Sequence, residues 1–174
     1  MATGQKIDHV FTYNRFLKFA YRYGNIPVSM LLGMYIVPFI ADPSPRLVHY
    51  LFFFIVVVLL LGINAFFYKV WRVVPFKIHA LDDRIVASEF FLTSKEVVLF
   101  YKDIENLKGG TFSGKFNGIM IAESTSQDIQ IGFFARLENS RLFEAILISR
   151  APQPVYEKVT ALLKQRKEEL KKKK

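Results

Sequence analysis

The chain has no cysteine, which excludes disulfides, thiolate metal sites and a cysteine nucleophile. It leaves the compartment open, because a cysteine-free chain suits either side of a membrane. Charge is also scarce: Asp, Glu, Lys and Arg make up 22% of 174 residues, against 52% hydrophobic. A domain surrounded by water rarely shows that balance, so the apolar excess must be concentrated in one part of the chain. Histidine is limited to His9, His49 and His79, with no H-E-x-x-H or paired-ligand spacing, so no zinc site is expected. There is neither a nucleophile elbow nor an ordered Ser/His/Asp set. No catalytic, cofactor-binding or metal-binding residue is assigned, and no enzyme is expected.

The apolar excess lies in two runs. Leu47–Phe67, LVHYLFFFIVVVLLLGINAFF, contains no Asp, Glu, Lys or Arg. As a helix it rises roughly 31 Å, the thickness of the hydrocarbon core. Tyr68, Lys69, Trp71 and Arg72 close its far end as an aromatic and cationic interface belt. The other run, Ile26–Ala41, reaches only about 24 Å; Pro27 suits its first turn and Pro38 is expected to kink its far end. No small-residue cleavage site follows it, so a cleaved signal is not expected, and a re-entrant segment is the alternative to a full span. Only Asp42-Pro43-Ser44-Pro45-Arg46 separates the two runs. The expectation is a transmembrane hairpin over 26–68, in the spans 26–41 and 47–67.

Cations set its orientation. Lys6, Arg15, Lys18 and Arg22 precede the first span, Lys69, Arg72 and Lys77 follow the second, and Arg46 alone lies between. The positive-inside rule then puts both termini in the cytoplasm of an integral membrane protein. Ser29 and Gly33 form a small-xxx-small ridge for helix packing, either within the hairpin or against another subunit. Asn64 either bonds a partner helix or sits at headgroup level. Residues 1–25 read as an amphipathic interfacial helix over Ile7–Tyr23, with Arg15, Lys18 and Arg22 on a basic stripe and Phe11, Tyr13, Phe16 and Leu17 over much of the rest.

Beyond Trp71 the pattern changes to short β-type runs. Strands are expected near Val73–Ala80, Arg84–Phe91, Glu96–Lys102, Asn117–Glu123 and Asp128–Phe134. The last alternates, with Ile129, Ile131 and Phe133 against Asp128, Gln130 and Gly132. Asp82-Asp83 reads as a turn, and Asp103 and Glu105 as solvated carboxylates. Glu138–Arg150 is expected to be a helix burying Leu142, Phe143, Ile146 and Leu147. A second helix over 151–174 places Val155, Val159, Leu162 and Leu163 on one stripe. It ends in a basic tail whose Lys171, Lys172, Lys173 and Lys174 suit anionic headgroups or a solvated end. Antiparallel strands followed by a helix indicate an α+β domain.

LFYKDIENLKGG, Leu99–Gly110, followed by FNGIMIAES and DIQIGFF, resembles the strand elements of bacterial pleckstrin-homology-like membrane proteins, and Glu138–Arg150 resembles their capping helix. The resemblance covers roughly Val70–Arg150. It implies a small antiparallel β-barrel over 69–150, a binding or scaffolding role, a bacterial inner membrane and no shared catalytic residues. Five strands are read directly, so seven require Glu105–Lys108 and Thr111–Phe112 to supply the others.

Gly109–Lys115 matches G-x-x-x-x-G-K, but Phe116 stands where magnesium needs Ser or Thr, and a strand follows where phosphate needs a helix. It is read as an inter-strand loop. The basic tail lacks any groove-reading motif, so nucleic acid is not an expected partner. The expectation is an accessory or scaffolding subunit held by an integral membrane protein partner. The alternative is a peripheral sensor of anionic lipid headgroups, using the barrel and the lysine tail.

Overall fold

The computed structural model describes residues 7–41, 46–91, 93–113 and 118–172. They form two units. One joins the stretch ending at Asn14 to the chain from Val73 onward, and the other is Arg15–Arg72.

The first unit is α+β, with two antiparallel sheets. β1 (His9–Thr12), β2 (Lys77–Ala80), β3 (Arg84–Ser88) and β4 (Val97–Phe100) are adjacent in that order, and β5 (Asn106–Lys108), β6 (Met120–Ser124) and β7 (Ile129–Phe133) form the second sheet. Period-two alternation builds both: Ile78 and Ala80, Ile85 and Ala87, Leu99, and Ile131 and Phe133 all face inward and are buried. Leu81 N–H bonds the Arg84 carbonyl at 2.9 Å, so Asp82-Asp83 is the tight β2–β3 turn expected of it. Hydrogen bonds from Ser126 hold the Glu105 carboxyl below its usual range, and Gln127 donates to Asp103 at 2.9 Å. These two carboxylates therefore brace the β6–β7 turn.

Helix α5 (Ser140–Arg150) joins the sheets. Its Phe143 ring lies 4.9 Å from Phe11 of β1 and 4.7 Å from Phe133 of β7, and Phe112 adds a ring 6.1 Å from Phe133. Its start is two residues later than expected because Asn139 takes a left-handed conformation, φ 55°. Leu142 is 43% exposed, not buried. Helix α6 (Gln153–Lys172) buries Val155 and Val159, whereas Leu162 faces out.

Three expectations are corrected here. Ile7–Tyr23 is not one helix: β1 occupies His9–Thr12, with Phe11 opposite Ile78 and Thr12 opposite Lys77. Phe11 and Tyr13 are both buried while Val10 is exposed, a period of two that the open edge of β2 selects. The Glu138 N–H reaches the Thr12 carbonyl at 3.0 Å, and the Phe134 N–H reaches the Tyr13 hydroxyl at 2.9 Å. There are seven strands among the described residues, but Thr111–Phe112 is not one of them; it lies in a 3-10 turn, Gly110–Ser113. Nor do the described strands close a barrel, since the chain leaves the first sheet through a 3-10 turn, Tyr101–Asp103, before β5 starts the second.

The second unit is helical: α1 (Arg15–Tyr23), α2 (Asn25–Met34), α3 (Val37–Ala41) and α4 (Leu47–Val73). Helix α4 has 27 residues and is long and apolar enough to cross a membrane. It runs past Phe67 because nothing breaks it before Pro75, which disfavours helix at Val74. The shorter run is not continuous. Tyr35 and Ile36 bond back to Leu32 and Gly33, and α3 starts afresh around Pro38. Helix α1 and the α2–α3 stretch meet at 44° and match the length and apolarity of a span only when taken together. Residues 42–45 of the short connection lie outside the described residues.

Candidate functional site

Within the helical unit, side chains sort in reverse order to a water-soluble core. Leu47, Phe54, Leu61 and Phe66 are exposed, while Asn25 is buried and bonds across to α4. Asn64 of α4 is the hub. Its Oδ1 accepts from Asn25 Nδ2 at 3.0 Å, and its Nδ2 donates to Ser29 Oγ at 3.0 Å and to the Leu60 carbonyl at 2.9 Å. Asn25 and Ser29 stand four apart and so share one face of α2. Further along, Phe39 stacks on Phe53 at 4.6 Å and meets Tyr50 at 5.2 Å. Contacts therefore progress in opposite directions along α2–α3 and α4.

The Ser29/Gly33 ridge thus divides. Ser29 is used within the unit, whereas a Cβ on Gly33 would meet nothing within 4 Å. Asn64 was singled out in the sequence, but Asn25 was not. Its only signal was its place one turn before Ser29.

The basic and aromatic interface residues separate as well. Arg15, Lys18 and Arg22 lie on α1, with Arg22 in its last turn. On α4, Lys69 is exposed and Arg72 sits over the Tyr68 ring at 5.9 Å. Trp71 is more than a belt residue: its Nε1–H donates to the Tyr21 carbonyl at 3.2 Å, fixing the end of α4 beside the end of α1. Lys171 and Lys172 end α6, but their side chains, and all of Lys173 and Lys174, lie outside the described residues.

In the α+β unit, the Gly109-Gly110 pair has φ of 78° and 45°, and a Cβ at Gly109 would fall 2.0 Å from the Ile119 carbonyl oxygen. Close backbone packing between β5 and β6 accounts for these glycines. Gly114 and Lys115 lie outside the described residues. Lys108 Nζ pairs with Glu123 at 2.6 Å, and His79 Nε2 with Asp8 at 2.6 Å. Burial raises the Glu144 carboxyl above its usual range. Among the described residues, no three His, Asp or Glu gather where they could hold a metal ion.

No protein-family model, curated protein or solved structure matches the chain.

Proposed function

We propose that this chain is a non-enzymatic, membrane-anchored module, in which a two-helix hairpin carries a pleckstrin-homology-like domain and serves as an accessory subunit of a larger membrane assembly. One observation carries the anchor: the helical unit is inserted between two hydrogen-bonded strands. Tyr13, two residues before the unit, and Val73, immediately after it, are both buried in the α+β domain. A folded domain cannot straddle a bilayer, so the inserted chain must leave and return on one side. Its number of crossings is then even. If α4 crosses, the chain from Arg15 to Ala41 supplies the return. The Trp71–Tyr21 bond fits this, because it holds both helix ends at one level.

Seven strands in sheets of four and three, with α5 packed on both, support the resemblance to bacterial pleckstrin-homology-like membrane proteins. The cations that flank the two apolar runs favour a cytoplasmic domain in a bacterial inner membrane. An integral membrane partner is favoured by Gly33, the one ridge position left open, because small residues allow close helix approach inside a bilayer. A Cβ at Gly33 meets nothing within 4 Å among the described residues, so Gly33→Leu is aimed at an external helix.

The test is isolation of the tagged chain in mild detergent, with and without Gly33→Leu. Co-purification of a stoichiometric membrane protein, lost in Gly33→Leu while the α+β domain keeps its melting transition, is the expected result. A companion-free monomer whose membrane role is abolished by removing Lys171–Lys174 alone would overturn it in favour of anionic-lipid sensing. Protease added outside intact cells should spare the chain beyond Trp71.

A further inference from the structure

The α+β unit has a pocket of about 400 Å³ that no motif announced, within the usual range for small-molecule sites. Three elements line it: Asp82 and Asp83 from the β2–β3 turn, Tyr101 and Lys102 from the turn after β4, and Arg150 and Pro152 from the end of α5. Tyr101 is only 3% exposed, and its hydroxyl is buried with no hydrogen-bond partner. A buried hydroxyl without a partner is costly, on the order of 1–3 kcal/mol, so it marks a place where a bound group completes the structure. Burial, with Asp82 and Asp83 adding to it against Arg150, pushes the Tyr101 phenol up to about 12. It therefore stays protonated and can donate.

The charged groups are unequally committed. Asp82 Oδ1 already accepts the Ile7 N–H at 2.6 Å, and Asp83 lies 3.8 Å from Arg84 Nε. Lys102 rests over the Phe100 ring at 5.7 Å, a contact that leaves its N–H donors unused. Among the described residues, the Arg150 guanidinium has neither a hydrogen bond nor an ion pair. Two cations and a hydroxyl thus offer donors to an oxyanion. The two carboxylates cancel the local charge and disfavour a dianion such as a phosphomonoester. They leave acceptor oxygens for a cation carried on the same ligand.

We propose that this pocket binds a zwitterionic phosphodiester headgroup. Its phosphate oxygens accept from Tyr101, Arg150 and Lys102, and its primary ammonium rests against Asp82 and Asp83. A primary amine is favoured over a quaternary one because it can donate to carboxylates, and the lining offers no open aromatic cage for a quaternary centre. The site stands whether or not the helical unit crosses a bilayer.

The test uses the full chain in a phosphate-free maltoside detergent, titrated calorimetrically with sn-glycero-3-phosphoethanolamine. Saturable binding is expected, with sn-glycero-3-phosphocholine roughly tenfold weaker. Arg150→Gln should weaken it by roughly tenfold or more, as the loss of a charge-assisted bond does. Tyr101→Phe should weaken it several-fold without lowering the melting temperature, because the hydroxyl has no partner among the described residues. Asp82→Asn with Asp83→Asn should abolish the preference for ethanolamine over choline. Absence of saturable binding at roughly 10 mM, a Kd unchanged by Arg150→Gln, or inorganic phosphate or acetate binding as tightly would overturn the proposal. A second arm places the chain in nanodiscs with and without phosphatidylethanolamine. Competition by that lipid assigns the headgroup to the membrane, and lack of it to the soluble diester.

Discussion

Phenylalanine is used in opposite ways in the two units. In the α+β unit Phe11, Phe76, Phe112, Phe133 and Phe143 are fully buried, whereas in the helical unit Phe16, Phe19, Phe54 and Phe66 are exposed. Polar side chains also pair between the helices there, with Asn64 bonded to both Asn25 and Ser29. Rings exposed in such number are unfavourable in water, at roughly 25 cal/mol for each Å² of apolar surface left wet. The rings are packed away in one unit and left on the surface of the other, and each expected outcome below tests one side of that contrast.

The largest effect should come from the ring cluster. Phe133→Ala removes the ring between Phe112 and Phe143 and should cost the α+β unit about 3–5 kcal/mol in a denaturant titration. Carbonate extraction should still find the chain in the membrane fraction. Release by that one change would mean that the units do not hold separately.

Next is Tyr13→Phe, which leaves the Phe134 N–H without its acceptor and should cost about 1–3 kcal/mol. The loss should appear in the α+β transition, because β1 belongs there. A variant as stable as the parent would detach the N-terminal strand from that domain.

Smaller again is Asn64→Leu. It removes two interhelical bonds, each worth about 0.6–2 kcal/mol in an apolar setting, and SDS titration of helix content should move by that order. In water, the change would leave a further exposed leucine and tend towards aggregation instead.

The smallest concerns Glu144. Its folded pKa is raised by burial, so the folded state holds that proton more tightly than the unfolded chain does. Stability should therefore fall as pH rises from the ordinary carboxylate range through the raised value. Glu144→Gln should flatten that slope and slightly raise the melting temperature at neutral pH. A steeper slope in the variant would contradict the assignment.

What could be read beforehand depended on distance along the chain. β7 was legible because Ile129, Ile131 and Phe133 alternate within five residues, and α4 because Leu47–Phe67 carries no charge. β1 was not: HVFT fits a helical and a strand period equally over its four residues. Only Ile78 and Lys77, remote in sequence, decide between them. Asn64 was legible as a polar group in an apolar run, but its partners were not. The pocket had no local signature at all, since Asp82, Tyr101 and Arg150 become neighbours only through the packing of α5 beside both turns. Leu142 was misjudged because helical spacing gives the width of an apolar stripe but not which edge the core leaves uncovered.

The pairing of Thr12 with Lys77 also sets an order of events during synthesis. β1 leaves the ribosome first, but its partner follows only after the whole helical unit has been made. At about 5–20 residues per second, the interval is several seconds. During it Val10 and Phe11 lie on an unpaired strand, and the long loop must close before that strand gains any partner. The helices thus have time to settle before the sheet can form, so β1 finds its place only on chains in which Arg15–Arg72 has already been made.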